Sequence, residues 1–211
     1  MSDERVEQIL DAAYACFTRH GVKRTTMDDI AREAGMSRGA VYQYVHNKED
    51  AFRRLAERLF DATLARARVD VDTGTDLTER LTAVLTAKLD LVLRLWRDSP
   101  HAAELLGDNA RPSADLEAAY SAAMRDLLAD TIAADLAAAD ISAADIIAAD
   151  AVAADGPGVK ALELAEILLA LTRGLEADLS DPDATLRRLR HAVALIVAGL
   201  RHTRTEIQET P

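Results

Sequence analysis

Residues 31–50 read AREAGMSRGAVYQYVHNKED. One glycine sits in a polar turn, a serine follows two residues later, and a short run carries two tyrosines. Gly35 can take the left-handed conformation that ends a helix, and Ser37 can cap the next one. Upstream, Thr26 with Asp29 three residues on forms an acidic variant of the capping box, so a helix opens at Thr26 and closes at Gly35 after barely two turns. Ala40, Val41 and Tyr44 then fall on the inner side of the helix that Ser37 starts. Asn47 can cap a further helix with Phe52, Leu55 and Leu59 buried, running to about residue 67.

Ahead of this pair, Val6, Ile9, Leu10, Ala13 and Phe17 recur at helical spacing, which predicts a helix from about Ser2 or Asp3 to His20 that Gly21 ends. Beyond it, the spacing predicts helices over about 75–98, 99–106, from Pro112 onward, 159–179 and from Pro182 to about 203. Leu81, Val84, Leu85, Val92, Leu95 and Trp96 are the apolar positions of the first of these. Nothing reads as a strand. The expected fold class is all-α, with about nine to ten helices. An N-terminal three-helix head covers residues 1–50, the helix of about 48–67 connects, and a helical domain covers 51–211. The polar stretch DVDTGTD, residues 70–76, is the strongest break in the chain.

The 211 residues carry a net charge of −11, and the charge is uneven. Residues 1–58 hold ten Lys/Arg and ten Asp/Glu, so the acidic excess belongs to residues 59–211. That asymmetry predicts two working parts. No run of 18 apolar residues predicts a membrane span, and the charged opening MSDERVEQIL lacks a signal-peptide core. A cytoplasmic protein is expected. A single cysteine, Cys16, allows no internal disulfide and no cysteine-based zinc cage. The five histidines, at 20, 46, 101, 191 and 202, show no metal-ligand spacing, and no nucleophile triad or phosphate loop appears. No catalytic residue, metal or cofactor is expected.

From Asp130 to Asp155 an aspartate recurs every fifth residue among Ala, Ile and Leu. Five residues rotate a helix by about 140° beyond a full turn, so these carboxylates cannot share one stripe. A break near residues 139–140 is expected, with the segment either a solvated insertion or an acidic flap. Residues 191–200, HAVALIVAGL, hold one polar side chain, and a helix apolar nearly all round calls for a partner subunit.

Two short helices joined through EAGMS make a helix-turn-helix, whose second helix can present its N-terminal end to a DNA major groove. The stretch ILDAAYACFTRHGVKRTTMDDIAREAGMSRGAVYQYVHNKEDAF, residues 9–52, resembles the TetR/AcrR family of bacterial transcriptional regulators. Val45 departs from the family's usual phenylalanine, and Ala51-Phe52 from its usual acidic residue and leucine. All three are apolar packing positions here.

The resemblance implies phosphate contacts from Thr25 and Thr26, with Lys23 and Arg24 adding others. It implies a recognition helix beginning at Ser37, Arg38 and Gly39, with Gly39 allowing close backbone approach. Tyr42 and Gln43 would face the groove, Tyr44 and His46 would lie against the DNA backbone, and Lys48 would grip phosphate. Arg38 and Gln43 are the expected base readers, because Arg pairs with guanine and Gln with adenine. The resemblance also implies a homodimer through helices of about 159–179 and 182–203, with Gly174 and Gly199 allowing close approach, and an inverted-repeat operator on double-stranded DNA. It implies a small-molecule effector, for which Trp96, His101, Tyr120, Met124 and Arg173 are candidate contacts. An aromatic content of 4% favours an aliphatic or amphipathic effector. The expected function is a repressor released from its operator by that effector. The alternative is a dimeric DNA-binding adaptor controlled by protein partners.

Overall fold

The computed structural model describes residues 2–101, 113–138 and 157–208, with side chains described over 3–101, 113–138 and 161–200. Among the described residues there are eight helices and no strand. They are α1 (Ser2–His20), α2 (Met27–Glu33), α3 (Arg38–Val41), α4 (Lys48–Thr73), α5 (Leu77–Asp98), α6 (Ala114–Ala138), α7 (Pro157–Leu175) and α8 (Pro182–Gln208). The all-α expectation is met. Most of the short helix expected to reach about residue 106, and the break expected near residues 139–140, lie outside the described residues. So does the part of the aspartate-rich segment from 139 to 156.

Several boundaries differ from the sequence reading. Helix α4 continues to Thr73 rather than about 67. Arg66 pairs with Asp70 one turn on, and the Thr73 hydroxyl donates to the Asp70 carbonyl, so the polar stretch is helical until Gly74. Asp76 then caps α5 by accepting from the Glu79 amide at 2.9 Å. Helix α7 ends at Leu175 rather than 179. Tighter bonds from Ala177 to Gly174 and from Asp178 to Leu175 close its last turn. Asp181 accepts from the Ala184 amide at 2.9 Å and caps α8.

The chain divides into two compact units. The first comprises Met1–Thr63 and Asp90–Tyr120, the second Leu64–Leu89 and Ser121–Pro211. In the first unit, Ile9, Ala13, Phe17, Ile30, Val41, Val45, Phe52 and Leu55 form the core that holds the head. Phe17 meets Phe52 edge to face, with centroids 5.9 Å apart. Such a pair contributes about 0.5–1.5 kcal/mol beyond its buried area. Here Val45 is fully enclosed, and the large ring of Phe52 fills space beside α1. The same unit is cross-braced by polar contacts. Arg53 grips Asp115 with both terminal nitrogens, Arg58 donates to Glu7 and Asp11, and Tyr14 donates to Asp98 at 2.9 Å. Ser99 donates to the Thr18 carbonyl while accepting from the His101 amide.

In the second unit, Leu81, Val84, Leu85, Met124, Leu128, Ile132, Leu168, Leu189 and Val193 are buried. Lys88 and Glu176 form a largely buried ion pair. Helices α7 and α8 pack against each other, yet Ile167 and Leu195 are 51% and 61% exposed. Ala170 and Gly174 continue the exposed stripe of α7, and Ala194, Ala198 and Gly199 that of α8. A Cβ added at Gly174 or Gly199 would meet nothing within 4 Å. No described helix is long and apolar enough to cross a membrane.

Candidate nucleic-acid interface

Helix α2 is bracketed by two complete capping devices. At its start the Thr26 hydroxyl accepts from the Asp29 amide at 3.2 Å, and the Asp29 carboxylate accepts from the Thr26 amide at 3.0 Å. The Thr26 hydroxyl and amide hold the Asp29 carboxyl below the usual carboxylate range. At its end Gly35 takes φ +62°, the Gly35 amide reaches Arg32, and the Met36 amide reaches Ala31. That pair of bonds is the Schellman closure, which satisfies the last carbonyls and turns the chain sharply.

The turn delivers Ser37, whose hydroxyl accepts from the Ala40 amide at 3.2 Å and caps α3. Helix α3 is a single turn, tightened beyond Val41 by bonds from Gln43 to Ala40 and from Tyr44 to Val41. Val41 and Val45 are fully buried and fix it to the core, and Tyr44 packs partly against the same core. Ser37, Arg38, Gly39, Tyr42, Gln43 and His46 are exposed. Gly39 sits in ordinary helical conformation, and a Cβ there would meet nothing within 4 Å. No fold requirement explains that glycine, which a helix holds less well than alanine.

Arg38 bridges two elements. One terminal nitrogen donates to Asp28 in the first turn of α2 at 3.2 Å, and the other donates to the Tyr42 hydroxyl at 3.3 Å. Its guanidinium carbon lies 5.4 Å from the centre of the Tyr42 ring. The Tyr42 hydroxyl and then Asp28 raise the Arg38 pKa above its ordinary value, so the side chain is cationic. The pairing of Arg38 with Asp28 was not legible in the sequence, because ten residues and a turn separate them.

The positive charge of the head is mostly matched internally. Arg19 pairs with Glu33, Arg32 with Asp29, Arg54 with Asp50, and Arg58 with Glu7 and Asp11. Among the described residues, Lys23, Arg24 and Lys48 have no carboxylate within ion-pair distance. The Lys48 ammonium donates to the Lys23 carbonyl at 3.0 Å, which brings these cations to the turn between α1 and α2. Asn47 caps α4 by accepting from the Asp50 amide at 2.8 Å, and Asp50 accepts from the His46 amide.

Thr25 requires a correction. Its side chain is buried, and its hydroxyl donates to the carbonyls of Gly21 and Cys16 at 2.8 and 3.2 Å. The phosphate contact expected of it has no donor left. Thr26 is exposed, but its hydroxyl proton is held by Asp29 at 2.6 Å. The candidate effector contacts are spread over both units. Trp96, His101 and Tyr120 belong to the first, Met124 and Arg173 to the second. Trp96, expected on the apolar face of α5, is half exposed, and Arg173 is exposed. Tyr120 is buried and stacks on Phe60, with centroids 4.6 Å apart, and Met124 is fully buried. Among the described residues no group of three or more His, Cys, Asp or Glu side chains could hold a metal ion.

Residues 9–55 match the family described as bacterial regulatory proteins, tetR family. The uncharacterized HTH-type transcriptional regulator YfiR of Bacillus subtilis is 44% identical over 64 residues, 30% of this chain and 31% of that protein. The HTH-type transcriptional regulator TtgR of Pseudomonas putida is 40% identical over 73 residues, 34% of this chain and 35% of that one. The chain thus spans about a third of the length of these curated relatives. Fold likeness reaches further. A transcriptional regulator structure from Pseudomonas aeruginosa PAO1 superposes with a TM-score of 0.69 at 20% identity, covering 95% of this chain and 91% of that one. FadR of Bacillus subtilis, solved with stearoyl-CoA, gives 0.62 at 17% identity over 89% and 94% of the two chains. A SmeT–triclosan complex gives 0.63 at 21% identity over 93% and 91%. At these identities the shared property is the fold.

Proposed function

We propose, for a chain whose residues 9–55 match the tetR family of bacterial regulatory proteins, that it is a ligand-responsive DNA-binding transcriptional regulator. One observation carries the reading. The turn of α3 is locked to the core by Val41 and Val45, while its outward positions 38, 39, 42 and 43 are exposed, with a glycine at 39 that no contact among the described residues demands. That is the surface a helix needs in order to lie close against another molecule's backbone. Gln43 and Arg38 carry the donor groups that discriminate adenine and guanine edges, and Lys23, Arg24 and Lys48 supply phosphate-directed charge.

The exposed stripes of Ile167, Ala170 and Gly174 on α7 and of Leu195, Ala198 and Gly199 on α8 support a homodimer through these helices. A two-fold dimer presents two reading helices, so the operator is an inverted repeat. Residues 1–50 form the DNA-binding domain and 51–211 the effector and dimerisation domain. The effector is an aliphatic or amphipathic small molecule, a reading supported by the low aromatic content and by the stearoyl-CoA bound in one protein of this fold. It binds preferentially a state unsuited to DNA, and so shifts the population off the operator, which makes the protein a repressor. Its acidic residues 59–211 are repelled by DNA and leave the head as the face that approaches.

The test is selection of sequences from a randomised duplex library with the purified protein. The selected duplex is then titrated with long-chain acyl-CoA while thermal stability is followed. Enrichment of an inverted repeat, released by a ligand that raises the melting temperature, is the expected result. Enrichment of no sequence would remove the DNA-binding reading, and a chain that sediments as a monomer on its operator would remove the dimer.

A further inference from the structure

We infer that Asp28 is a positioning and specificity-determining residue for the DNA contact made by Arg38, an inference that rests on the regulator reading above. Arg38 stands at the start of α3, whereas Asp28 belongs to α2. The head packing places the carboxylate against the guanidinium, with both Asp28 oxygens 3.2 Å from the same terminal nitrogen. Tyr42, one turn along, takes the other terminal nitrogen through its hydroxyl. The guanidinium is therefore held between an acid on one side and a phenol on the other, before any DNA arrives.

Two consequences follow from the chemistry. First, a long arginine side chain that would otherwise sample many rotamers is confined to one region, so less conformational freedom is lost when its fork meets a base edge. Second, the carboxylate cancels the local charge. A phosphate is attracted by net charge, whereas a guanine edge is recognised by parallel N–H donors aimed at two acceptors. An arginine neutralised in this way keeps the N–H donors that Asp28 and Tyr42 leave open, and loses most of its long-range pull on phosphate. Asp28 thereby favours base reading over indiscriminate backbone attachment. The pair is largely exposed, with 60% of the Arg38 side chain and 54% of the Asp28 side chain accessible. An ion pair this exposed contributes little to stability, so its removal leaves the head folded.

The experiment compares full-length wild type with Asp28→Asn, Asp28→Glu and Arg38→Ala in selection from a randomised duplex library at one fixed salt concentration. The base pair whose preference Arg38→Ala erases is the one Arg38 reads. Asp28→Asn is expected to keep the wild-type melting temperature and to weaken preference at that base pair by about three- to tenfold, a part of what one bidentate contact supplies. It is also expected to tighten binding to unrelated duplex, with a steeper salt dependence. Asp28→Glu restores part of the preference. Unchanged selectivity in Asp28→Asn, or uniform loss at every position with a lowered melting temperature, overturns the role of Asp28 alone. No preference erased by Arg38→Ala overturns Arg38 as a base reader and the role of Asp28 with it, and leaves DNA binding by the head standing. Wild type that enriches no sequence overturns the regulator reading and this inference with it.

Discussion

Thr25 donates its hydroxyl to the Gly21 carbonyl at 2.8 Å from a buried position, while its neighbour Thr26 faces solvent. Adjacent threonines thus have different work. Thr25 closes the turn between α1 and α2. Thr25→Val is expected to lower unfolding stability by about 1–3 kcal/mol, the range for losing a buried hydrogen-bond partner. Operator affinity per folded molecule should stay the same. Denaturant unfolding with a gel shift on the same samples checks this, and lost affinity at full stability would return Thr25 to the interface.

Gly39→Ala separates folding from binding. With helical backbone and nothing within 4 Å of the added Cβ, alanine should stabilise the head by about 0.5–1 kcal/mol. The same methyl occupies the space reserved for DNA, so operator binding should weaken. Gly35→Ala runs the other way. At φ +62° alanine is strained and should destabilise by about 1–2 kcal/mol. Thermal melts and operator titrations of both variants give the contrast, and a Gly39→Ala protein that binds as tightly as wild type would count against the close approach.

Lys48→Gln is expected to weaken binding to all duplexes alike and to lower the slope of log affinity against log salt by about one. The Lys48 ammonium rests on a carbonyl rather than on a carboxylate, so its charge is available to phosphate. Stability should change by no more than about 0.5 kcal/mol, as for most surface substitutions. Sequence-dependent weakening, measured by anisotropy at several salt concentrations, would mean that Lys48 reads bases.

Asp115 gives the protein a defined acid response. Hydrogen bonds from Arg53 pull its pKa down to about 2, from an ordinary value of 3.8. A carboxyl whose folded pKa is depressed contributes stability above its unfolded value and loses that contribution as pH falls through the folded one. The stability advantage of wild type over Asp115→Asn should therefore be full above about pH 4 and shrink towards pH 2. Melting curves across that window test it, and an advantage that grows on acidification would exclude the pairing as its source.

The head was legible because its signals are local. A capping box, a left-handed glycine and a serine cap each act within five residues, and together they placed α2 and α3. The hydrogen-bond partners of Thr25 and Arg38 were not legible, because both contacts are made across the turn between helices. Arg53 carries no local signal of its partner, because α6 brings Asp115 to it from 62 residues away in the chain. In the second unit the apolar periodicity gave helix identity but not which stripe stays bare. Leu195 and Val193 are equally apolar, yet only Val193 is buried.

The anchoring of α3 by Val41 and Val45 also bears on how such a head could be retargeted. The outward positions 38, 39, 42 and 43 are absent from the core, so they are free to vary while the two valines and the capping Ser37 are not. Randomising the outward set while keeping the valines should yield a library in which most members still fold. New operator preferences could then be selected without rebuilding the scaffold.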